Sequence, residues 1–411
     1  MDTGEVDYEP VSVKAVLAEM KDTAELLVDL SYSAVLHGSE PLAGEVLSLE
    51  ERMDVLQVRA RMSLLLAARN PEDAETLAPV LGVVSAAEKI SDAAGDIAKV
   101  VLDETGLPEA MRSAIPEARE VLVRTELAAD SAYASRTLAD VDLETKTGVR
   151  VIAIRRASRT GKRRWLTNPG PDTELQGGDV LILRGPEAGL SDVHETATGE
   201  PYDPPTPPAD ADTDLSRAVD TLVLMKDVSE LAVDLSYGAV LFDSTAVAKE
   251  VSELEAEVDA LKARLEAWVL RAAGSVADPV QLRGLAHVAA ATEVVSDAAL
   301  EISEGVLRGL PAHPVVAAAV EESDEVIVRL TVAADAAVAD RTLAAADIGG
   351  ETGCRVVAVR RPGDDDENDE WLVSPDGDTR LHAGDVLLAK GTRAGAERLG
   401  DIVGDPREFE D

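Results

Sequence analysis

Met20-Lys21-Asp22, Asp29-Leu30-Ser31-Tyr32 and Ala34-Val35-Leu36 return later in the chain as Met225-Lys226-Asp227, Asp234-Leu235-Ser236-Tyr237 and Ala239-Val240-Leu241. The correspondence continues with Arg136-Thr137-Leu138 and Arg341-Thr342-Leu343, then Thr147-Gly148 and Thr352-Gly353. It ends with Gly178-Asp179-Val180-Leu181 and Gly384-Asp385-Val386-Leu387. Similarity at one nearly constant offset marks a tandem duplication, so each copy must fold to the same architecture. Between the copies, Gly199 to Pro208 is acidic and proline-rich, which predicts a solvated, semi-rigid linker.

Within each copy the texture changes once. From Val11 to Ala139 apolar residues recur at helical spacing, with breaks near Pro41, Pro71 and Pro108. This predicts four long helices in an antiparallel bundle. The second copy repeats the pattern with turns near Ser244, Asp278 and Pro311. After Thr147-Gly148 the pattern becomes β-like: Val149 to Ile154, Trp165-Leu166, the Asn168-Pro169-Gly170 turn, then Val180 to Leu183. Its counterpart has Cys354 to Val359, Trp371 to Val373, Ser374-Pro375 and Val386 to Leu388. The expected fold class is α+β. Helical bundles span 11–139 and 215–344, small β-rich domains span 140–195 and 345–403, and a linker spans 196–214.

The 411 residues suit two to four domains. Apolar residues make up 45% and aromatics only 2%, so Ala, Val and Leu must build close-packed cores. The net charge of −40 is spread along the whole chain. Such self-repulsion is screened within a few ångströms in concentrated salt, so the acidity predicts a halophilic, salt-rich cytoplasm more than a binding surface. Nucleic acid is disfavoured as a partner, because phosphate binding needs a basic face. Cys354 is the single cysteine, which excludes an intramolecular disulfide. No apolar run reaches membrane-spanning length, and Met1 to Pro10 lacks a basic or apolar leader region. The expectation is a cytoplasmic protein without direct membrane insertion.

The helix Glu88-Lys89-Ile90-Ser91-Asp92-Ala93-Ala94-Gly95-Asp96-Ile97-Ala98 resembles the signature helix of PhoU proteins. The second copy keeps its acid spacing as Glu293, Asp297 and Glu301 while losing the lysine and the glycine. The β-rich part resembles a TrkA-C domain, the C-terminal domain of RCK regulators. Arg136-Thr137-Leu138, Gly148, Ile152-Ala153-Ile154-Arg155-Arg156 and Gly178-Asp179-Val180-Leu181 carry that likeness in order. The first resemblance implies a helical-bundle regulator of phosphate uptake whose Glu/Asp-xxx-Asp motifs face metal ions, here Mg, Mn or Fe. The second implies a regulatory module of potassium channels and transporters that works as a dimer and takes small ligands such as a cyclic dinucleotide. The Gly-x-Gly-x-x-Gly turn of a dinucleotide-binding domain is absent from the sequence, so NAD is not expected.

Carboxylates four apart share a helix face, which pairs Glu25 with Asp29, Glu88 with Asp92, Glu230 with Asp234 and Glu293 with Asp297. Asp96 and Glu301 extend the second row by a turn. Two such helices side by side would offer a four-carboxylate cage to a hard cation. In so acidic a chain many such pairs arise by chance. Glu25 and Asp29, however, lie among Leu26, Leu27, Val28 and Leu30, where burial demands a counter-ion. The alternatives are a stripe reaching solvent or acids satisfied by arginine from a neighbour.

Arg155, Arg156, Arg159, Lys162, Arg163 and Arg164 make the one dense basic cluster, while the second copy carries Asp364 to Glu370 in its place. Solvated hairpin tips, mutual attraction of the two loops, or an anionic ligand all suit that pattern. Arg155, Arg156, Arg360 and Arg361, present in both copies, are the ligand candidates. His37 aligns with Phe242 and reads as a packing residue; Trp165 and Trp371 read as anchors of each β-rich domain on its bundle. No nucleophile with its base, P-loop or His-Glu-x-x-His helix occurs, and the carboxylates alone make a poor hydrolase. The chain thus reads as a non-enzymatic regulator of K⁺ or Mg²⁺ transport at the cytoplasmic face of a transporter or channel, or alternatively as a metal-binding regulator of phosphate uptake. A pseudo-dimeric monomer and a homodimer both suit the duplication.

Overall fold

The computed structural model describes residues 12–405 apart from 69, 104–121, 158–162, 168, 186, 203–212, 277, 310–313, 324, 362–369 and 374. The expected linker and the tips of both charged loops therefore lie largely outside the described residues. The first helix, α1 (Val13–His37), starts where the Ser12 hydroxyl accepts the Ala15 amide at 3.1 Å. It stops at Gly38, whose φ of 59° suits a residue without a side chain. Helix α2 (Glu40–Ala67) follows at once from the Ser39 cap, so Pro41 sits in its first turn where no amide is missed. Helix α3 (Pro71–Leu102) completes a three-helix bundle.

The second bundle repeats this with α7 (Thr213–Leu241), α8 (Thr245–Ala272) and α9 (Arg283–Leu307), the last entered through a 3₁₀ turn at Pro279–Leu282. Each copy then forms a four-stranded antiparallel sheet. Strands β1 (Val123–Glu126), β2 (Arg150–Ala157), β3 (Arg163–Thr167) and β4 (Val180–Arg184) lie in the order β1-β4-β2-β3. Strands β5 (Glu325–Thr331), β6 (Arg355–Arg361), β7 (Glu370–Val373) and β8 (Val386–Thr392) repeat it as β5-β8-β6-β7. Short helices α4 (Leu138–Val141), α5 (Leu143–Thr147) and α6 (Glu187–Thr198) accompany the first sheet. Their counterparts α11 (Leu343–Ala346), α12 (Ile348–Thr352) and α13 (Arg393–Val403) accompany the second. A bulge recurs at the same place, between Val151 and Ala153 and between Val356 and Ala358. The duplication extends to such details.

Two expectations need correction. Four long helices per bundle are predicted, but the described residues of the second copy form three, followed by the nine-residue α10 (Pro314–Glu322). The chain then enters β5, pairing Val326 with Gly391 and Val328 with Ala389, well before the expected boundary at 345. In the first copy β1 pairs Val123 with Leu183, ahead of the expected boundary at 140. Most of the residues responsible, Val326, Ile327, Val328, Thr331 and Val332, are β-branched and favour a strand. Their pairing with a central strand outweighs the apolar spacing that also suits a helix.

One hydrophobic core runs through both bundles and takes in the inner faces of both sheets through Ile152, Trp165 and Ile182, and through Ile327, Val357 and Leu388. The outer face of each sheet closes a smaller core of its own. Helix α3 lies against α9, and α10 of the second copy packs on α1 of the first. The copies form one body.

Candidate functional site

Where α1 and α7 approach, the contacts are reciprocal. The Lys21 ammonium lies 5.5 Å from the centre of the Tyr237 ring, and the Lys226 ammonium lies 5.9 Å from that of Tyr32. Matching contacts made in both directions are the signature of a two-fold arrangement, here within a single chain. At this seam Glu25, Asp29, Glu230 and Asp234 line one small cleft together with Val28, Val233, Arg355 and Lys390. The four carboxylates thus come to one cleft, two from each copy.

Protein cations neutralise it. Lys21, only 2% exposed, reaches Glu25 at 3.0 Å and donates to the Ser323 hydroxyl at 2.9 Å. Lys226, equally buried, reaches Glu230 at 2.6 Å and Asp227 at 3.5 Å. Burial pulls the Lys226 pKa down, but Glu230, Asp227 and Asp29 more than offset it and hold the group above the ordinary lysine range. Asp234 accepts from Arg355 at 2.7 Å and from Lys390 at 2.6 Å, and Lys390 also stands 3.4 Å from Glu25. Glu25, Glu230 and Asp234, offered by the sequence together with Asp29 as metal ligands, are thus each paired with lysine or arginine. Lys21 and Lys226 stood in the repeated block; their i,i+4 spacing to Glu25 and Glu230 was the signal for the pairing.

The second set of acids lies in the grooves between helices of each bundle. Glu88 takes Arg61 at 3.1 Å, and Lys89 crosses between the copies to Glu301 at 2.8 Å. Glu293 is bonded by Lys262. Asp92 has its pKa raised by burial and then by Asp54 and Asp96; Asp297 has its pKa raised by burial and then by Glu293 and Asp259. Glu50 and Glu255 are likewise raised, first by burial and then chiefly by neighbouring carboxylates, with Lys99 opposing at Glu50. The sequence reading missed these partners on α2 and α8, although Glu50/Asp54 and Glu255/Asp259 recur with i,i+4 spacing. Among the described residues, no three His, Cys, Asp or Glu side chains are grouped to hold a metal ion.

The arginine candidates serve the architecture. Arg156 grips Asp179 through two bonds of 2.8 and 2.6 Å, and Arg361 grips Asp385 through two of 3.2 Å. Both aspartates are 1% exposed and also accept an amide of their own hairpin, from Gln176 and His382. Each pair therefore fixes the Gly-Asp turn that precedes β4 or β8. Arg155 pairs with the buried Glu45 of α2, which Arg124 also contacts at 3.3 Å. Arg360 is half-buried on β6. Trp165 anchors the first sheet on its bundle, with its indole N–H 3.4 Å from the Ser48 hydroxyl. Of the arginines offered as ligand residues, Arg156 and Arg361 thus engage a buried carboxylate through two bonds each, and Arg155 meets Glu45 through its Nε. A groove of about 990 Å³ lies instead between the two sheet domains, lined by Arg150, Asp142 and Gly148 on one side and by Glu351, Gly353 and Arg398 on the other.

Family models match this arrangement part by part. The PhoU domain matches residues 17–101 and 222–306, and the TrkA-C domain matches 122–197 and 327–404. Among solved structures, PhoU from Pseudomonas aeruginosa aligns at 12% identity and a TM-score of 0.38, covering 72% of this chain and 96% of that one. The GsuK RCK domain aligns at 16% identity and a TM-score of 0.18, covering 69% of this chain and 63% of that one. The GsuK channel bound to NAD gives the same identity and score, with 53% of its own chain covered. Scores this low carry no argument about the arrangement of domains. No curated protein sequence matches. Among the described residues, no helix is long and apolar enough to cross a membrane. The duplicated cores, the paired sheets and the family matches agree: this chain consists of PhoU and TrkA-C domains, each present twice in alternating order.

Proposed function

We propose that the protein is a non-catalytic, cytoplasmic regulator of cation transport, for K⁺ or Mg²⁺, that acts on the cytoplasmic face of a transporter or channel. The observation that supports it is the ionic cluster in which Lys390 and Arg355, from a TrkA-C domain, meet Glu25 and Asp234, one from each PhoU bundle. A regulator needs its domain types coupled, and charges buried together couple strongly because none can be withdrawn alone without leaving the rest uncompensated. A small anionic ligand, a nucleotide such as a cyclic dinucleotide, fits the groove between the TrkA-C domains better than the committed arginine pairs. Arg150 and Arg398 would supply its positive charge.

The test is uptake of rubidium, Mg²⁺ and phosphate in the source cells with the chain deleted and restored. The proposal expects a change in rubidium or Mg²⁺ flux with phosphate uptake unaltered. A change confined to phosphate would favour the second reading, a PhoU-type regulator of phosphate uptake. That reading draws on the acid rows around Asp92 and Asp297, whose pKa values are raised by burial and then by neighbouring carboxylates. Thermal melting with EDTA and with Mn²⁺ tests metal there, since a bound ion raises the melting temperature by mass action. A Mn²⁺-induced rise abolished by Asp92→Asn would locate a metal on α3.

A further inference from the structure

The second TrkA-C domain touches both bundles, and it does so through charge. Arg355 and Lys390 face each other across β6 and β8 in register and form a two-pronged cation. Both prongs close on Asp234 of α7, which is 3% exposed. Lys390 extends the grip to Glu25 of α1, in the other copy. The chain entering this domain is held by the same helix: Ser323, one residue past α10, accepts from Lys21 at 2.9 Å and donates to Asp22. Three elements distant in sequence therefore converge within one hydrogen-bonded cluster: α1, α7 and the sheet of domain two.

We propose that Lys390 and Arg355 form a charge latch by which the second TrkA-C domain senses the position of α1 relative to α7. Asp234 alone would dock the domain on its own bundle. The Glu25 arm makes docking depend on the neighbouring bundle as well. A shift of α1 against α7 cannot keep Lys390 within reach of both carboxylates, so one of them must give up one of its two cations, leaving Glu25 with Lys21 alone or Asp234 with Arg355 alone. Coupling of this kind needs two discrete arrangements rather than a graded one, because packed interfaces do not deform continuously. The inference takes its purpose from the regulatory reading above, but its geometry is tested without any transporter.

Hydrogen exchange of the purified full-length chain provides the test. In Lys390→Met, amides of α1 between Lys21 and Leu30 are expected to exchange about tenfold faster, in step with β6 and β8, as loss of a charged bond would give. Lys390→Arg, the residue the first copy carries as Arg184, is expected to keep wild-type exchange. Arg361→Met is the control: it breaks a pair inside the domain, so its effect should stay near the Gly384 turn. Faster exchange in β6, β8 and α7 with α1 unchanged would overturn the latch, because the domain would then dock on its own bundle alone. Should Lys390→Met fail to fold, Glu25→Gln removes the cross-copy arm together with the pair to Lys21, and unchanged exchange in β8 would overturn the proposal equally. Failure of the transport assay leaves this result standing, and the reverse also holds.

Discussion

The two copies share an architecture yet differ where they face each other. The Tyr32 hydroxyl of the first copy donates to Thr292 at 2.7 Å across the seam. Tyr237, its counterpart, is 2% exposed, and its hydroxyl meets no hydrogen-bond partner among the described residues, because Ala87 stands where the other side has Thr292. A similar split separates Lys89, which bonds Glu301, from its counterpart Val294, which lines an open groove with Asp92, Asp96, Arg283 and His287. His37 ends α1 where Phe242 follows α7. Duplication copies every feature once; a contact across the pseudo-two-fold survives in both directions only where both residues are retained. The lysine–tyrosine contacts were kept reciprocally. The hydroxyl pair and the outer ion pair are now one-sided.

Breaking a reciprocal contact should cost most. Lys226→Met removes the cation between Glu230, Asp227 and Asp29, and a loss of about 3–5 kcal/mol is expected in urea unfolding, as for any buried pair deprived of one partner. A loss below about 1 kcal/mol would mean that the cluster is solvated.

Acid should act next, through His37 of the first copy. Burial lowers the His37 pKa from the usual 6.5 to about 4. Between those values the unfolded chain binds a proton that the folded chain refuses, so stability falls as pH drops through that window, by about 3 kcal/mol in all. His37→Phe, the residue of the second copy, should remove that component from a series of melts at pH 7 to 4.

The hydroxyl pair gives a smaller and opposed pair of effects. Thr292→Ala, which imposes the Ala87 situation on Tyr32, should destabilise by about 1–2 kcal/mol, while Ala87→Thr should stabilise by about 1 kcal/mol by giving Tyr237 a partner. Equal signs for the two would show that the sides are not equivalent in packing. The smallest effect belongs to Lys89→Met. Its pair with Glu301 is substantially exposed, so at most about 0.5 kcal/mol is expected, vanishing in high salt.

Much of this was legible in the sequence. The repeated Asp-Leu-Ser-Tyr blocks gave the duplication, and the Gly-Asp turns gave the sheet domains with their central strands. The first strand of each sheet was not legible, because Val123–Glu126 and Glu325–Thr331 find their partners only after a long return of the chain to β4 and β8. Local periodicity cannot announce a partner so remote. The acids of α1 and α7 were legible as a cluster in need of positive charge, and the distant cations that help supply it were not, for a related reason. Lys390 and Arg355 lie far along the chain from Glu25, and nothing local to Glu25 reveals their approach.

By itself the sequence determined the long helices and the central strands of each sheet, since spacing and capping act within a few residues. It also determined that carboxylates would be buried and would need cations. Which cations arrived, which copy supplied them, and which contacts across the seam became one-sided were decided by tertiary structure. The cost of an unpaired buried charge is settled by whatever group the completed fold brings within about 3 Å, and that distance exists only once both copies have packed.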